Sequence, residues 1–140
     1  MATNREQLII ELNKDLEWEY AAAIQYVQHA AVITGPEFDG IGKELIIHSQ
    51  EEMTHAVMLA EQIDFLGGIP SVEVEAIEVS PESPIMLRQD LKGEDQAITR
   101  YKERIYQAEQ LREYGLRRVI EDILIQEEEH KRDLLSALER

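Results

Sequence analysis

Apolar residues recur at close to helical spacing at the start of the chain, at Leu8, Leu12, Leu16, Ala23, Val27 and Ala30, and predict a helix over about residues 4–34. Thr3 and Glu6 are spaced as a capping box, and Gly35-Pro36 stops the helix. A second run, Leu45, Met53, Val57, Ala60, Ile63 and Leu66, predicts a helix over 39–66, with Asp39 as N-cap and Gly67-Gly68 as terminator. Residues 69–84 break the pattern. Three prolines and the alternating Val72-Glu73-Val74-Glu75 read as an extended connection. A third helix is expected over 84–113, opened by Pro84 at a first helical position, and a fourth over 116–139 after a short turn at Tyr114-Gly115. Two antiparallel hairpins joined by one long crossover between the second and third helices give an all-α four-helix bundle, since simple up-down bundles have short loops throughout. At 140 residues the chain is expected to form one domain over 1–140.

Polar positions carry a stronger signal. The motif Asp-Leu-x2-Glu-x2-Ala-x3-Tyr, followed by Glu-x2-His, occurs twice, each element of the second copy lying 75 residues after the first. Asp15, Leu16, Glu19, Ala22, Tyr26, Glu52 and His55 become Asp90, Leu91, Glu94, Ala97, Tyr101, Glu127 and His130. Spacings of i, i+4, i+7 and i+11 draw one stripe down a helix, and Glu-x2-His sets a carboxylate and an imidazole on a common face. Four glutamates and two histidines so placed describe one symmetrical site built from both halves, and the set fits two metal ions bridged by carboxylates. The plainer reading is solvated glutamates and two packed histidines. Buried together without cations, four carboxylates would repel and titrate as a set, and two divalent ions cancel their charge.

The helical levels can be checked. The midpoint between Glu19 and Glu52 falls on the Gly35-Pro36 break, which brings both to one height in antiparallel helices. The midpoint between Glu94 and Glu127 falls several residues before Gly115, so either the third helix ends earlier than 113 or the pair is offset. Asp15 and Asp90, one turn before Glu19 and Glu94, are placed to accept the second N–H of a ligand histidine, or else to sit exposed. Tyr26 and Tyr101 either serve a carboxylate or an electron path, or pack in the core. His48 reads first as a buried core histidine and second as an added ligand; His29 reads as structural.

Composition narrows the chemistry. With no cysteine there is no disulfide, thiolate zinc site or cysteine nucleophile, so a metal here takes oxygen and nitrogen ligands, iron first and manganese second. A net charge of −15, from 29 acidic against 14 basic residues, disfavours nucleic acid and attracts cations. No apolar run approaches the roughly 20 residues of a membrane span, and a cytoplasmic protein is expected.

The stretches Glu19 to Gln25-Tyr26, Glu51-Glu52-Met53-Thr54-His55-Ala56, Leu66-Gly67-Gly68-Ile69-Pro70, Met86 to Leu91 with Glu94, and Glu127-Glu128-Glu129-His130 resemble a bacterioferritin-like member of the ferritin superfamily. The resemblance implies a ferritin-like bundle with a di-iron ferroxidase centre, in which Glu19 and Glu94 are terminal ligands, Glu52 and Glu127 bridge, and His55 and His130 each bind one iron. It implies oxidation of Fe(II) to Fe(III) by O2 or H2O2, for iron storage or detoxification, and favours Tyr26 over Tyr101 as a catalytic tyrosine. Met53 stands where bacterioferritins use a methionine from each of two subunits to hold haem b; polar Gln50 beside it weighs against haem here. A homo-oligomer is implied, a dimer at least.

The chain also departs from that pattern. Bacterioferritins carry a short fifth helix that helps close a 24-subunit cage, whereas this sequence runs ten residues past His130, and Ile47 occupies a position where some of them place an iron-handling histidine. A non-storing di-iron oxidase or peroxidase, similar to rubrerythrin without its cysteine-bearing rubredoxin domain, is the first alternative. A structural bundle with a vestigial or zinc-filled site is the second.

Overall fold

A computed structural model describes residues 3–139, and four long helices dominate them. They are α1 (Arg5–Val32), α2 (Asp39–Phe65), α3 (Ser83–Gln110) and α4 (Tyr114–Leu138), with one 3-10 turn at Pro36–Phe38 before α2. The cap of α1 is Asn4, not Thr3: its side chain accepts from the Gln7 backbone N–H at 2.8 Å, the N-cap to N3 bond that an asparagine makes well. Asp39 is the first residue of α2 rather than its cap, because the turn opened by Pro36 feeds directly into the helix. Its charge still lies in the first turn, where the helix dipole favours it.

The C-termini of α2 and α3 use the same device with different residues. Gly67 has φ 96°, and the amides of Gly67 and Gly68 bond the Asp64 and Ile63 carbonyls. At the end of α3, Arg112 takes φ 58°, and the amides of Arg112 and Glu113 bond the Glu109 and Ala108 carbonyls. The helix thus stops at Gln110 rather than near 113, and Tyr114-Gly115 belongs to α4 instead of the turn. That earlier stop resolves the level mismatch of the second hairpin.

Helix α1 lies along α2 and α3 along α4, while α1 also packs on α3 and α2 on α4. Asp15 meets Arg104 and His29 meets Asp90, so numbers rise along α1 as they fall along α3 and the two are antiparallel. Residues 66–82 run the length of the bundle, from the end where Arg5 bonds the Leu66 carbonyl to the end where the Thr34 amide donates to Ser83 Oγ. Backbone bonds of Ser71 to Asn13 and of Glu78 to Gln25 pin this extended crossover to α1.

Two apolar clusters fill the interior. One contains Leu8, Leu12, Leu16, Leu59, Ile63, Ile120 and Ile123, and the other Tyr26, Phe38, Leu45, Leu87 and Leu134. Between them along every helix lies a buried polar layer containing Glu19, Glu52, His55, Glu94, Glu127 and His130. Val27, Met53 and Val57, expected on the inward stripe, are instead 58%, 44% and 55% exposed. They form a second apolar stripe, on the outward face of α1 and α2, which one-dimensional periodicity merges with the first. No helix among the described residues is long and apolar enough to cross a membrane.

Candidate metal centre

The six repeat residues converge from all four helices. His55 Nδ1 lies 3.0 Å from Glu52 Oε1, 3.4 Å from Glu19 Oε2 and 3.6 Å from Glu127 Oε1. His130 Nδ1 lies 3.2 Å from Glu94 Oε2, 3.3 Å from Glu127 Oε1 and 3.6 Å from Glu52 Oε1. Two four-residue sets result, Glu19-Glu52-His55-Glu127 and Glu52-Glu94-Glu127-His130, each with ligand atoms within 4.8 Å of one another and both sharing Glu52 and Glu127. Every member is at most 2% exposed.

Buried polar atoms are normally paired, yet here Glu19 Oε1, Glu94 Oε1, Glu52 Oε1, both carboxylate oxygens of Glu127, and His55 Nδ1 have no hydrogen-bond partner. That concentration of orphaned atoms, pointing at one another, fits a pair of cations and fits a packed core poorly. Burial first, and then the Glu127 charge, pushes Glu52 well up, Glu19 up, and Glu94 up to about 8. Burial acts against a charged imidazole, but contacts with Glu19 outweigh it and raise His55 to about 9, and contacts with Glu127 and Glu94 raise His130 to about 11. For Glu127 burial is outweighed by hydrogen bonds from His130 and Glu52, and its carboxyl is held down. Without cations, therefore, the cluster retains protons that a metal must displace.

Hydrogen bonds around the cluster orient the ligands. Tyr26 donates to Glu94 Oε2 and Tyr101 to Glu19 Oε2, both at 2.5 Å, crossing between α1 and α3. The two tyrosines are geometrically equivalent, so position alone does not single out Tyr26. Burial, then the facing carboxylates, pushes both phenols well up, which keeps them as donors.

Asp15 and Asp90 do not orient the cluster's histidines, nor are they exposed. Asp15 accepts from Arg104 Nε at 2.7 Å with Arg100 at 3.3 Å, and Asp90 pairs with His29 Nδ1 and with Gln25 Nε2, both at 2.9 Å. Each Asp lies one turn from the cluster on its own helix, but its carboxylate is taken up by partners on the antiparallel neighbour, α3 for Asp15 and α1 for Asp90. Burial raises both carboxyls against these partners. His29 is structural as expected, its other nitrogen donating to the Glu78 carbonyl of the crossover.

The groups that hold the imidazoles are Gln126 and Glu51, which the motif reading missed. His55 Nε2 meets Gln126 Oε1 at 2.5 Å, His130 Nε2 meets Glu51 Oε1 at 2.9 Å, and Gln126 Nε2 donates to Glu51 Oε2 at 3.0 Å. Because the amide nitrogen of Gln126 faces a carboxylate, its oxygen accepts, so His55 carries a proton on Nε2 and turns Nδ1 inward. That tautomer is the one a metal ligand at Nδ1 requires. Glu51 and Gln126 are themselves 75 residues apart, one position before each Glu-x2-His, and the signal was hidden because the two residue types differ.

A cavity of about 200 Å³ between α1 and α3 runs from Trp18, Gln96 and Arg100 to Glu19, Glu94 and Glu127. Met53, next to Glu52 in sequence, points to the outward face beside Ala23, Ile24, Val27 and Gln50. Ile47 is also outward and 44% exposed. His48 is buried, its Nε2 is 3.1 Å from Asp133 Oδ2, and its ring stacks on His130 with centroids 4.0 Å apart. Burial, then the His130 charge, lowers it to about 4.

Comparison with known proteins agrees with this architecture. The model of the ferritin-like domain matches residues 9–140. A bacterioferritin of Brucella melitensis is 30% identical over 89% of this chain and 78% of its own length. A bacterial ferritin of Synechocystis is 31% identical over 87% and 79%. Among solved structures, a chain described as ferritin-like, diiron-carboxylate proteins from Bacillus anthracis superposes with a TM-score of 0.92 at 31% identity, covering 99% of both chains.

Proposed function

The chain belongs to the ferritin-like domain family, and from that premise we propose that it is a di-iron ferroxidase, oxidising Fe(II) to Fe(III) with O2 or H2O2 in iron storage or detoxification. The observation that carries the reading is the pair of overlapping ligand sets sharing Glu52 and Glu127, with their carboxylate oxygens unpartnered in the core. In this reading Glu19 and His55 hold one iron, Glu94 and His130 the other, and Glu52 and Glu127 lie between both. Two ferrous ions bound there supply the electrons that reduce the oxidant.

The chain's own residues do the rest. Tyr26 and Tyr101 each occupy Oε2 of a terminal glutamate and leave Oε1 free for metal. The Gln126-Glu51 bridge fixes both imidazoles with Nδ1 inward, and Glu51 can accept the proton that His130 shares at Nε2. The cavity beside Trp18 admits Fe(II) and a small oxidant from solvent while the apolar layers above and below exclude bulk water. Tyr26, next to Glu94, is the proposed redox-active tyrosine. Assembly into a homo-oligomer would cover the outward apolar stripe of Ile24, Val27, Met53 and Val57. A cytoplasmic setting, free of disulfide chemistry, completes the proposal.

A second reading, a non-storing di-iron oxidase or peroxidase, uses the same two ligand sets and the same cavity. One experiment separates them. Excess Fe(II) is added in air and protein mass and iron per chain are measured on size-exclusion fractions. Many irons per chain in a large particle establish storage; no more than about two per chain, the capacity of one dinuclear site, in a small oligomer favour the oxidase. Absence of oxidation, with Glu52→Ala indistinguishable from the parent, sinks both and leaves a structural or zinc-filled bundle.

A further inference from the structure

The 75-residue offset also pairs the walls of the cavity between α1 and α3, and at one pair it fails. Glu19 matches Glu94 and Ala22 matches Ala97, but Trp18 matches Gly93, so the bulkiest lining side chain has no counterpart on the other wall. Neither backbone nor packing asks for that glycine. Its φ is not in the left-handed region, and a Cβ at 93 would meet nothing beyond its own stretch of helix within 4 Å. After proline, glycine is the least favourable residue type in a helix interior, and position 93 lies well inside α3. What it provides is room: the α3 wall stays open where the α1 wall carries a ring.

That room exceeds what small ions and dioxygen need. The cavity holds about 200 Å³, against about 150 Å³ for an apolar cavity that takes up benzene, so it accommodates a single ring with a polar substituent. The wall beside it is fixed. Arg100 lies over the Trp18 ring at 5.3 Å and is itself held 3.3 Å from Asp15, so neither side chain is free to fall into the space. Lys92, the other lining cation, is paired with Glu78 at 3.2 Å. Apart from Arg100 Nε, which faces Asp15, the buried lining atoms without a hydrogen-bond partner are all acceptors, among them Oε1 of Glu19, of Glu94 and of Gln89. The Gln89 amide nitrogen is committed to the Val79 carbonyl at 3.0 Å, so Gln89 offers the cavity an acceptor only. Such a lining repels an anion and accepts from a neutral hydroxyl. When cations occupy the carboxylates, Gln89 remains.

From this lining we propose that the space between Trp18 and Gly93 binds a neutral single-ring molecule bearing a hydroxyl group, of the phenol class. The ring lies along the Trp18 wall and over the bare α3 backbone at Gly93, and the hydroxyl donates toward Gln89 and the carboxylate end. Binding rests on the cavity alone. In the non-storing oxidase reading this is also where an organic reductant reaches the centre, and that role stands or falls with the reading.

Trp18 is the chain's single tryptophan, so its fluorescence reports on the site directly. Phenol is titrated into the full chain, metal-free and Zn(II)-loaded, with Trp18 excited to the red of phenol and tyrosine absorption and the heat of binding measured in parallel. A saturable response at a single phenol per chain is expected in both forms. Gly93→Trp, which gives both halves the same residue, is expected to weaken binding at least about tenfold by calorimetry. Ala22→Leu, which closes the cavity from α1, is expected to do the same and serves where the first variant does not fold. Benzoate, the same ring with an anionic group, is expected not to bind. A response that rises without saturation, unchanged affinity in the folded variants, benzoate binding as tightly as phenol, or loss of phenol binding on zinc loading would each overturn the proposal. None of these outcomes alters the metal bound per chain, by which the dinuclear reading is judged separately.

Discussion

The two halves of the chain, α1 with α2 and α3 with α4, present matching ligands to the centre but surround them with unlike residues. On the first-half side Asp15 is held by two permanent cations, Arg104 and Arg100; at the corresponding place Asp90 has His29 and Gln25. His130 leans on a carboxylate, Glu51, whereas His55 leans on the amide of Gln126. Where the first half has His48 the second has Ile123. Both halves carry the same residue types at the cluster, the set that a pair of cations would require. The supporting positions need only fill space and satisfy hydrogen bonds, and chemically different pairs do that equally well.

Substitutions can break this comparison. The largest expected effect is Arg104→Leu, which leaves a fully buried Asp15 with Arg100 at 3.3 Å as its remaining cation and should cost about 3–5 kcal/mol of unfolding free energy. His29→Leu leaves Asp90 with Gln25 and the option of protonating, and should cost about 1–3 kcal/mol. Equal losses in denaturant titrations of the two variants would show that the halves are energetically alike after all.

Next come the ligands and their supports. Glu127→Ala and His130→Ala should each slow aerobic Fe(II) oxidation by at least about tenfold, and unchanged rates would reject those assignments. Glu51→Gln should weaken metal binding about 10–100-fold, because the single amide oxygen cannot accept from both His130 and Gln126. Gln126→Glu, which makes the two halves alike, should perturb mainly the His55 side. Stepwise calorimetric affinities in the parent and both variants read this directly.

Acidity should separate the metal-free and loaded forms. Glu19, Glu52, Glu94, His55 and His130 all have raised folded values, so each binds its proton more tightly folded than unfolded. Their contribution is full below the unfolded values and is lost as pH rises through the folded ones, about 8 for Glu94 and about 9 for His55. The metal-free melting temperature should therefore fall between pH 5 and pH 9, while the stabilisation added by metal grows as its ligands give up protons. A flat metal-free profile would contradict a crowded carboxylate cluster. The smallest effect lies at the helix ends: Arg112→Gly, giving α3 the residue type that ends α2, should stabilise by about 1 kcal/mol in thermal unfolding.

The sequence by itself determined four helices, the long crossover and the six residues that converge. Helical spacing decides which residues share a face, and the common 75-residue offset ties the faces together. Helix ends were less legible: Arg112 adopts a left-handed conformation that points to glycine in a sequence, and Asn4 caps where Thr3 has the same local credentials. The outward stripe of Val27, Met53 and Val57 passed for core because periodicity records hydrophobicity without saying which side of the helix faces protein. Only the tertiary structure decided that the tyrosines serve each other's half, that Asp15 and Asp90 meet Arg104 and His29, and that Gln126 and Glu51 hold the imidazoles. Each of these contacts crosses between helices, and spacing within one helix carries no information about which residue of its neighbour lies at the same height.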